Sequence, residues 1–132
     1  MTSFNEIECE ILSVRDRPQE VINPAEHLMQ MGEAILENWL IAHNQIPTQE
    51  KYEGFRLLGL HRQGAKLDPS FHACRETCRE LIYQINLYQM KSDLKQITLA
   101  SLVAMHLLLF IQGKMEVQEL GEFCCNSKAV SA

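Results

Sequence analysis

Residues 97–111 read ITLASLVAMHLLLFI and form the most apolar stretch of the chain. Twelve of these fifteen residues are hydrophobic, and only Thr98, Ser101 and His106 are polar. A helix that is apolar on nearly every side must be covered by neighbouring elements on nearly every side. We therefore expect this stretch to be a helix that needs extensive cover from the rest of the chain.

The segment before it is the best amphipathic helix of the sequence, over residues 69–91. Asp68 and Pro69 give the start signal of a cap followed by a proline. Its apolar seam at helical spacing consists of Phe71, Cys74, Cys78, Leu81, Ile82, Ile85 and Tyr88. Only Ser92 and Asp93 separate it from the next helix, and such a short connection predicts an antiparallel αα-hairpin.

Two further segments supply cover. Asn23 and Pro24 predict the start of a helix that runs to about residue 44, with one apolar stripe. Its stripe consists of Leu28, Met31, Ile35, Trp39 and Ala42. Residues 48–66 are mixed, because a short helix there would contain glycines that weaken it.

Both ends of the chain leave alternatives open. Residues 6–11 alternate polar and apolar side chains as a strand does, yet Phe4, Ile7, Ile11 and Val14 also lie at helical spacing. Residues 1–22 are therefore either a short helix or an extended arm. At the other end, Gly113 is expected to end or bend the apolar helix, so residues 113–132 would form a short helix and a mobile tail.

These elements predict the fold class. We expect a single all-α domain over residues 1–132, built as a small helical bundle on the αα-hairpin with an additional capping helix. The length of 132 residues and the 46% hydrophobic composition suit one core. They exclude a disordered tail, a collagen-like fibre and a disulfide-stapled miniprotein.

Charge and cysteine content limit the function classes. The net charge of −5 argues against nucleic acid as a partner, because phosphate neutralisation supplies most of that affinity. The five cysteines are unevenly spaced and no signal peptide is visible, which favours free thiols and a cytoplasmic location. Fifteen apolar residues are shorter than a membrane span needs, so no membrane is expected as a partner.

The apolar helix also predicts association. The other helices are too few to cover it, and a large exposed apolar patch normally marks an interaction site. A two-fold homodimer through the hairpin is the simplest solution. The expected interface consists of Ile82, Ile85, Leu99, Leu102, Val103, His106, Leu108 and Phe110. The alternative is that the N-terminal segment and residues 52–60 complete the cover within one chain.

No catalytic residue, cofactor or metal site is predicted. Cys74 and Cys78 lie one helical turn apart on the apolar seam, where free cysteines behave as small hydrophobic residues. A metal or redox role for the pair is the alternative, as is a ligand role for His106. His72 cannot join the two cysteines, because it lies about 200° around the helix from Cys74.

Residues 59–66, GLHRQGAK, are a failed match to a phosphate-binding loop. That loop needs a lysine directly after its second glycine and then a hydroxyl residue, whereas Ala65 and Leu67 stand near those positions. What remains is a positive cluster of Arg56, Arg62 and Lys66 with His61. Such a run is usually a solvated loop, and its other interpretation is contact with an acidic partner surface.

Residues 117–122, VQELGE, and 126–131, NSKAVS, are similar to a helix-turn-helix pattern. In that pattern a Ser-Lys pair opens the recognition helix. The resemblance covers about fifteen residues and is degenerate. It implies DNA binding, but the segment has one basic residue, three flanking acidic residues and fewer than two turns of recognition helix.

Two functions follow as hypotheses. The first is a non-enzymatic regulatory or adaptor protein that binds another protein through apolar helix faces, for example an anti-activator of a transcription regulator. The second is a small transcriptional regulator that senses a ligand, metal or redox state and uses the degenerate helix-turn-helix.

Overall fold

The protein is described by a computed structural model that covers residues 2–120, with side chains through Val117. No strand occurs between residues 2 and 120, and the all-α bundle predicted from the sequence is confirmed. The helices are α1 (Phe4–Asp16), α2 (Pro24–Ala42), α3 (Arg56–Leu67), α4 (Arg75–Lys91) and α5 (Leu94–Leu120). Short 3₁₀ helices span Pro18–Glu20 and Pro69–Cys74.

The N-terminal segment is helical, and the extended-arm alternative is wrong. The Ser3 hydroxyl accepts a hydrogen bond from the Glu6 backbone N–H, and the Glu6 carboxylate accepts one from the Ser3 N–H. This reciprocal pair satisfies two donors that a helix start otherwise leaves free. Ile7, Ile11 and Val14 are buried against α2 and α5. Helix α1 therefore supplies part of the cover that α5 needs.

Helix α2 lies at the centre of the bundle. Eleven of its nineteen residues are buried, and it packs against each of the other four α-helices. Its start agrees with the prediction, since Pro24 occupies the first helical turn after Asn23. The Trp39 indole lies against two other rings, with centroids 3.8 Å from His43 and 4.4 Å from Phe71.

The predicted helix over residues 69–91 is divided in two. Residues 69–74 form a 3₁₀ helix, and α4 begins at Arg75. The Asp68 carboxylate accepts hydrogen bonds from the Ser70 N–H and hydroxyl, at 3.0 and 2.7 Å, which fixes the tighter turn. Because Phe71 and Cys74 are both buried, the tighter turn still directs the apolar seam inward.

Helices α4 and α5 form the predicted hairpin. Ser92 takes a left-handed backbone conformation with φ of 54°, and the Asp93 carboxylate accepts a hydrogen bond from the Lys95 N–H. The two helices make extensive mutual contact.

Helix α5 does not end at Gly113, which corrects the expectation of a separate short helix after that residue. It runs unbroken to Leu120, a length of 27 residues or about 40 Å. A glycine inside a helix costs about 1 kcal/mol. Continuing the helix buries Lys114 on the core side and packs Met115 against the core, and this offsets the cost. The remaining residues of the predicted tail, 121–132, lie outside the described part of the chain.

Lys114 is the least expected core residue, because its side chain is fully buried. Its Nζ donates hydrogen bonds to the Asp68 carboxylate and the Ser70 hydroxyl. The ammonium group also lies 6.0 Å from the Trp39 ring centroid and 5.6 Å from that of Phe71, within cation–π range. The ion pair therefore links the C-terminal half of α5 to Asp68, the residue that directly follows α3.

The Asp68 carboxylate makes the stability of the fold depend on pH in the acidic range. Burial alone would raise its pKa, but the hydrogen bonds from Lys114 and Ser70 outweigh burial and hold the pKa below its usual 3.8. A depressed pKa in the folded state adds stability above pH 3.8, and this is lost as the pH falls through the folded pKa.

We expect the difference in urea midpoint between the wild type and Asp68→Asn to be largest near neutral pH. It should shrink below pH 3.8, because the wild-type carboxyl then becomes protonated as well. Urea unfolding at a series of pH values measures this difference. A difference that stays constant into strong acid would contradict the assignment.

Candidate functional site: the outward face of α5

The outward face of α5 is apolar where a surface helix is normally polar. Leu99, Leu102 and Leu109 are 44%, 49% and 58% exposed. The opposite side of the helix is buried against α1, α2 and α4. Half-buried Val103, Met105 and Phe110 border the exposed leucines. Within the described chain, then, the other helices leave one apolar stripe of α5 open.

The exposed residues follow a regular spacing. From Lys95 the outward positions are Leu99, Leu102, His106 and Leu109, at successive steps of four, three, four and three. This is the spacing of a seam that packs against one other helix. A polar residue at one central seam position, as at His106, is a feature that sets register in such pairs. The outward face therefore has the pattern of a helix-pairing surface.

A groove of about 430 Å³ runs along this face between α4 and α5. Its α5 wall is formed by Leu99, Leu102 and Val103, with His106 at one side. Its α4 wall carries the carboxylates of Glu76 and Glu80. The groove thus combines an apolar floor with an acidic edge.

The face also has opposite charges at its two ends. Lys95 lies one turn before Leu99, and Glu116 lies about two turns after Leu109, and both side chains are exposed. A helix paired with this face in the antiparallel direction would bring unlike charges together if it carried the same sequence.

The structure places the eight residues of the predicted interface in two different environments. Leu99, Leu102 and His106 are exposed, and Val103 and Phe110 are half-buried beside them. Ile82, Ile85 and Leu108 are in the core, at 7%, 2% and 0% exposure. Ile82, Ile85 and Leu108 belong to the hydrophobic core of the single chain, so the exposed residues of the eight are the ones available to a partner.

Sequence reasoning missed Leu109 and the two acidic residues of the groove. Leu109 continues the seam three residues after His106, so the spacing alone could have identified it. Glu76 and Glu80 are one turn apart on the polar side of α4. Their position beside α5 follows only from the packing of the hairpin.

Cys74, Cys78 and His61 form a polar cluster inside the core. The His61 Nε2 donates a hydrogen bond to the Phe71 carbonyl at 2.8 Å, and the Cys74 thiol donates one to the same oxygen at 3.1 Å. A hydrogen bond from Cys78 and the nearby His61 outweigh burial and lower the pKa of Cys74 to about 6. The pKa of Cys78 is raised, because it donates to Cys74 and is deeply buried.

Both thiols are free and buried, so this pair packs in the core. Between residues 2 and 120, no group of three or more His, Cys, Asp or Glu side chains could hold a metal ion.

The other sequence motifs are also placed. His106 is exposed on the outward face of α5 and not enclosed in a ligand pocket. Residues 117–120 of the helix-turn-helix resemblance continue α5, and residues 121–132 lie outside the described part. In the positive cluster, Arg56 is paired with Glu33 at 3.1 Å and Glu37 at 2.7 Å, so the two glutamates offset its charge.

The expectation that the apolar stretch is too short for a membrane does not hold for α5 as a whole. Among the described residues, the part of α5 over Leu94–Val117 is long and apolar enough to cross a bilayer, and 39% of its most apolar window is buried inside the protein. The core helix of a soluble protein passes the same test, so length and composition do not assign α5 to a membrane.

Comparisons with known proteins add no relative to this description. No protein family, no curated protein and no solved structure matches the chain.

Proposed function

We propose that this chain is a non-enzymatic regulatory or adaptor protein that acts by protein–protein interaction, and that α5 pairs through its outward face with a second copy of the chain. The observation that carries this proposal is the row of exposed leucines, Leu99, Leu102 and Leu109, on one continuous helix. Burying such a row removes apolar surface from water, at about 25 cal/mol for each Å².

A second copy fits the face because the face is self-complementary. An antiparallel pair with its two-fold axis at Ala104 places Leu99 opposite Leu109 of the other copy and Leu102 opposite His106. The same arrangement brings Lys95 close to Glu116 at each end. A parallel pair would instead place like charges together, so the charges favour the antiparallel pair.

The regulatory role concerns the surface that the dimer presents. Glu76 and Glu80 are exposed on α4 at the edge of the paired face, so they stay at the rim of the dimer and suit a partner segment that carries basic residues on one side. A transcription regulator whose own interface is bound in this way would be inhibited, and the chain would then act as an anti-activator. The free thiols suit the cytoplasm as the location of this activity.

Leu102→Lys is expected to convert the dimer into a monomer. The two-fold axis places two lysines in the apolar seam, and burying these unpaired charges should weaken dimer affinity by about a hundredfold or more. Leu67→Lys is the matched control, because Leu67 is 48% exposed against 49% for Leu102 and lies at the end of α3. Light scattering at micromolar concentration distinguishes the two states.

The proposal fails if the wild-type protein is a monomer at that concentration, or if Leu67→Lys disrupts the dimer as strongly as Leu102→Lys. Circular dichroism checks that each variant keeps the wild-type helix content. A protein captured from the native cell by the wild type and Leu67→Lys, but not by Leu102→Lys, would support the regulatory role.

The direction of pairing has its own test. Lys95→Glu and Glu116→Lys should each weaken the dimer by a few-fold, because exposed ion pairs contribute about 0.2–1 kcal/mol each. The double variant with both changes restores unlike charges and should recover wild-type affinity. Sedimentation equilibrium measures the three affinities, and two additive losses without recovery would exclude the antiparallel pair.

A further inference from the structure

A second site lies between α3 and the start of α4, on residues that the proposed dimer does not use. It is a cavity of about 290 Å³ next to the loop that precedes α3. Its polar lining consists of Tyr52, His61, Arg62, Lys66, His72 and Arg75. No acidic side chain lines this cavity, although the chain as a whole carries a net charge of −5.

Three permanently charged cationic side chains line the cavity. Arg62 and Lys66 lie one turn apart on α3, so they share a helix face, and Arg75 faces them from the first turn of α4. None of the three forms an ion pair with a side chain in the part of the chain that the structure describes.

Two arginines outside the cavity are paired with carboxylates, in contrast to the three cations that line it. Arg56 pairs with two glutamates of α2. Arg79, one turn after Arg75 on α4, donates two hydrogen bonds to the Glu53 carboxylate, at 3.2 and 2.7 Å. Glu53 also attracts Arg75 at longer range. Within residues 2–120, the three cations of the cavity therefore form no close ion pair, and Arg75 is attracted by Glu53 only at longer range.

The position of Arg75 is unfavourable without an anion. The N-terminus of a helix carries a partial positive charge, and a cation there is destabilising by several tenths of a kcal/mol. Arg75 is the first residue of α4, and His72 precedes it by one 3₁₀ turn. A bound anion would make the same arrangement favourable, because its charge would offset the cation at this end of α4.

The aromatic residues hold this arrangement in place. The Arg62 guanidinium carbon lies 4.1 Å from the Tyr52 ring centroid, and this stacking restricts the guanidinium plane. His61 is buried and held by the Phe71 carbonyl, and its ring lies 6.4 Å from that of His72 in an edge-on arrangement. Arg62 and His61 are thus held in position before any ligand enters.

We propose that this cavity binds a small phosphate monoester through its phosphate group. A phosphate monoester is a dianion near neutral pH, and two guanidinium groups with one ammonium group match it better than they match a single carboxylate. The volume suits one phosphate with a small organic body and is too small for a macromolecular ligand. A nucleic acid would need a basic stripe, and the three cations are confined to one pocket of a chain with a net charge of −5.

Inorganic phosphate is the probe for this proposal. Titration calorimetry with the wild-type protein is expected to detect phosphate binding, and acetate and chloride at the same ionic strength should bind at least about tenfold more weakly. Arg62→Gln and Arg75→Gln should each weaken phosphate binding by about tenfold or more, because each removes a charge-assisted hydrogen bond.

Arg15→Gln is the matched control, since it makes the same change in net charge on α1, where Arg15 pairs with Asp16. It should bind phosphate as the wild type does. The proposal is overturned if the wild type does not bind phosphate in preference to acetate and chloride, or if Arg15→Gln weakens binding as much as Arg62→Gln. Because Arg62 and Arg75 are exposed, both variants should fold, and circular dichroism verifies this.

Discussion

Asp68→Asn is expected to lower the free energy of unfolding by about 3 kcal/mol. The substitution removes the anion that faces the fully buried Lys114 ammonium, and a buried charge that loses its partner is strongly destabilising. The Ser70 hydroxyl remains as one acceptor for Lys114, so the loss of stability should be small for a buried charge that has lost its partner. Urea unfolding followed by circular dichroism gives the measurement.

The matched control is Asp16→Asn, because Asp16 pairs with Arg15 at the surface and its loss should cost less than about 0.5 kcal/mol. Adding Lys114→Met to Asp68→Asn should recover most of the stability, since the methionine fills similar space without a charge. If Asp68→Asn loses less than about 1 kcal/mol, or if Lys114→Met gives no recovery, the buried ion pair does not stabilise the fold in this way.

Gly59→Ala is expected to cost about 2–3 kcal/mol, because the added methyl group has no room. A Cβ at Gly59 would lie 2.1 Å from the Glu50 carbonyl oxygen and 3.1 Å from its carbon. These are backbone atoms, so the clash cannot be relieved by a side-chain rotation, and either α3 or the segment before it must shift. Thermal and urea unfolding measure the loss.

Gly113→Ala provides the opposite result in the same protein. Nothing lies within 4 Å of a Cβ at Gly113, which is inside α5, so the alanine should add about 0.5–1 kcal/mol of stability through its higher helix propensity. Equal effects at the two glycines would mean that the close approach at Gly59 is not rigid.

The elements that the sequence predicts best are those with one clear apolar stripe. Helix α2 and the α4–α5 hairpin fall in this class, because their periodicity and caps agree with each other. The N-terminus was undecided because its first residues fit both a period of two and a helical period. The hydrogen bonds between Ser3 and Glu6 decide it, in favour of the capping signal that the sequence also contains.

Other features depend on residues that are distant in sequence. The burial of Lys114 could not be predicted, because its partner Asp68 lies 46 residues earlier and no local pattern connects them. Leu108 was assigned to the interface because a helix that is apolar all round does not reveal which side its neighbours cover. The basic cavity is lined by Arg75 and not by Arg56 of the predicted positive cluster. Arg75 lies near Arg62 only because α3 packs against α4.

The contact of α1 with α5 has a consequence for how the chain is made on the ribosome. Ile7, Ile11 and Val14 need α5 to complete their burial, yet 77 residues separate the end of α1 from the start of α5. At about 5–20 residues per second, the nascent chain leaves these side chains only partly covered for roughly 4–15 s. Protection of these side chains from aggregation during synthesis therefore depends on α2, which emerges soon after α1 and can pack against it first.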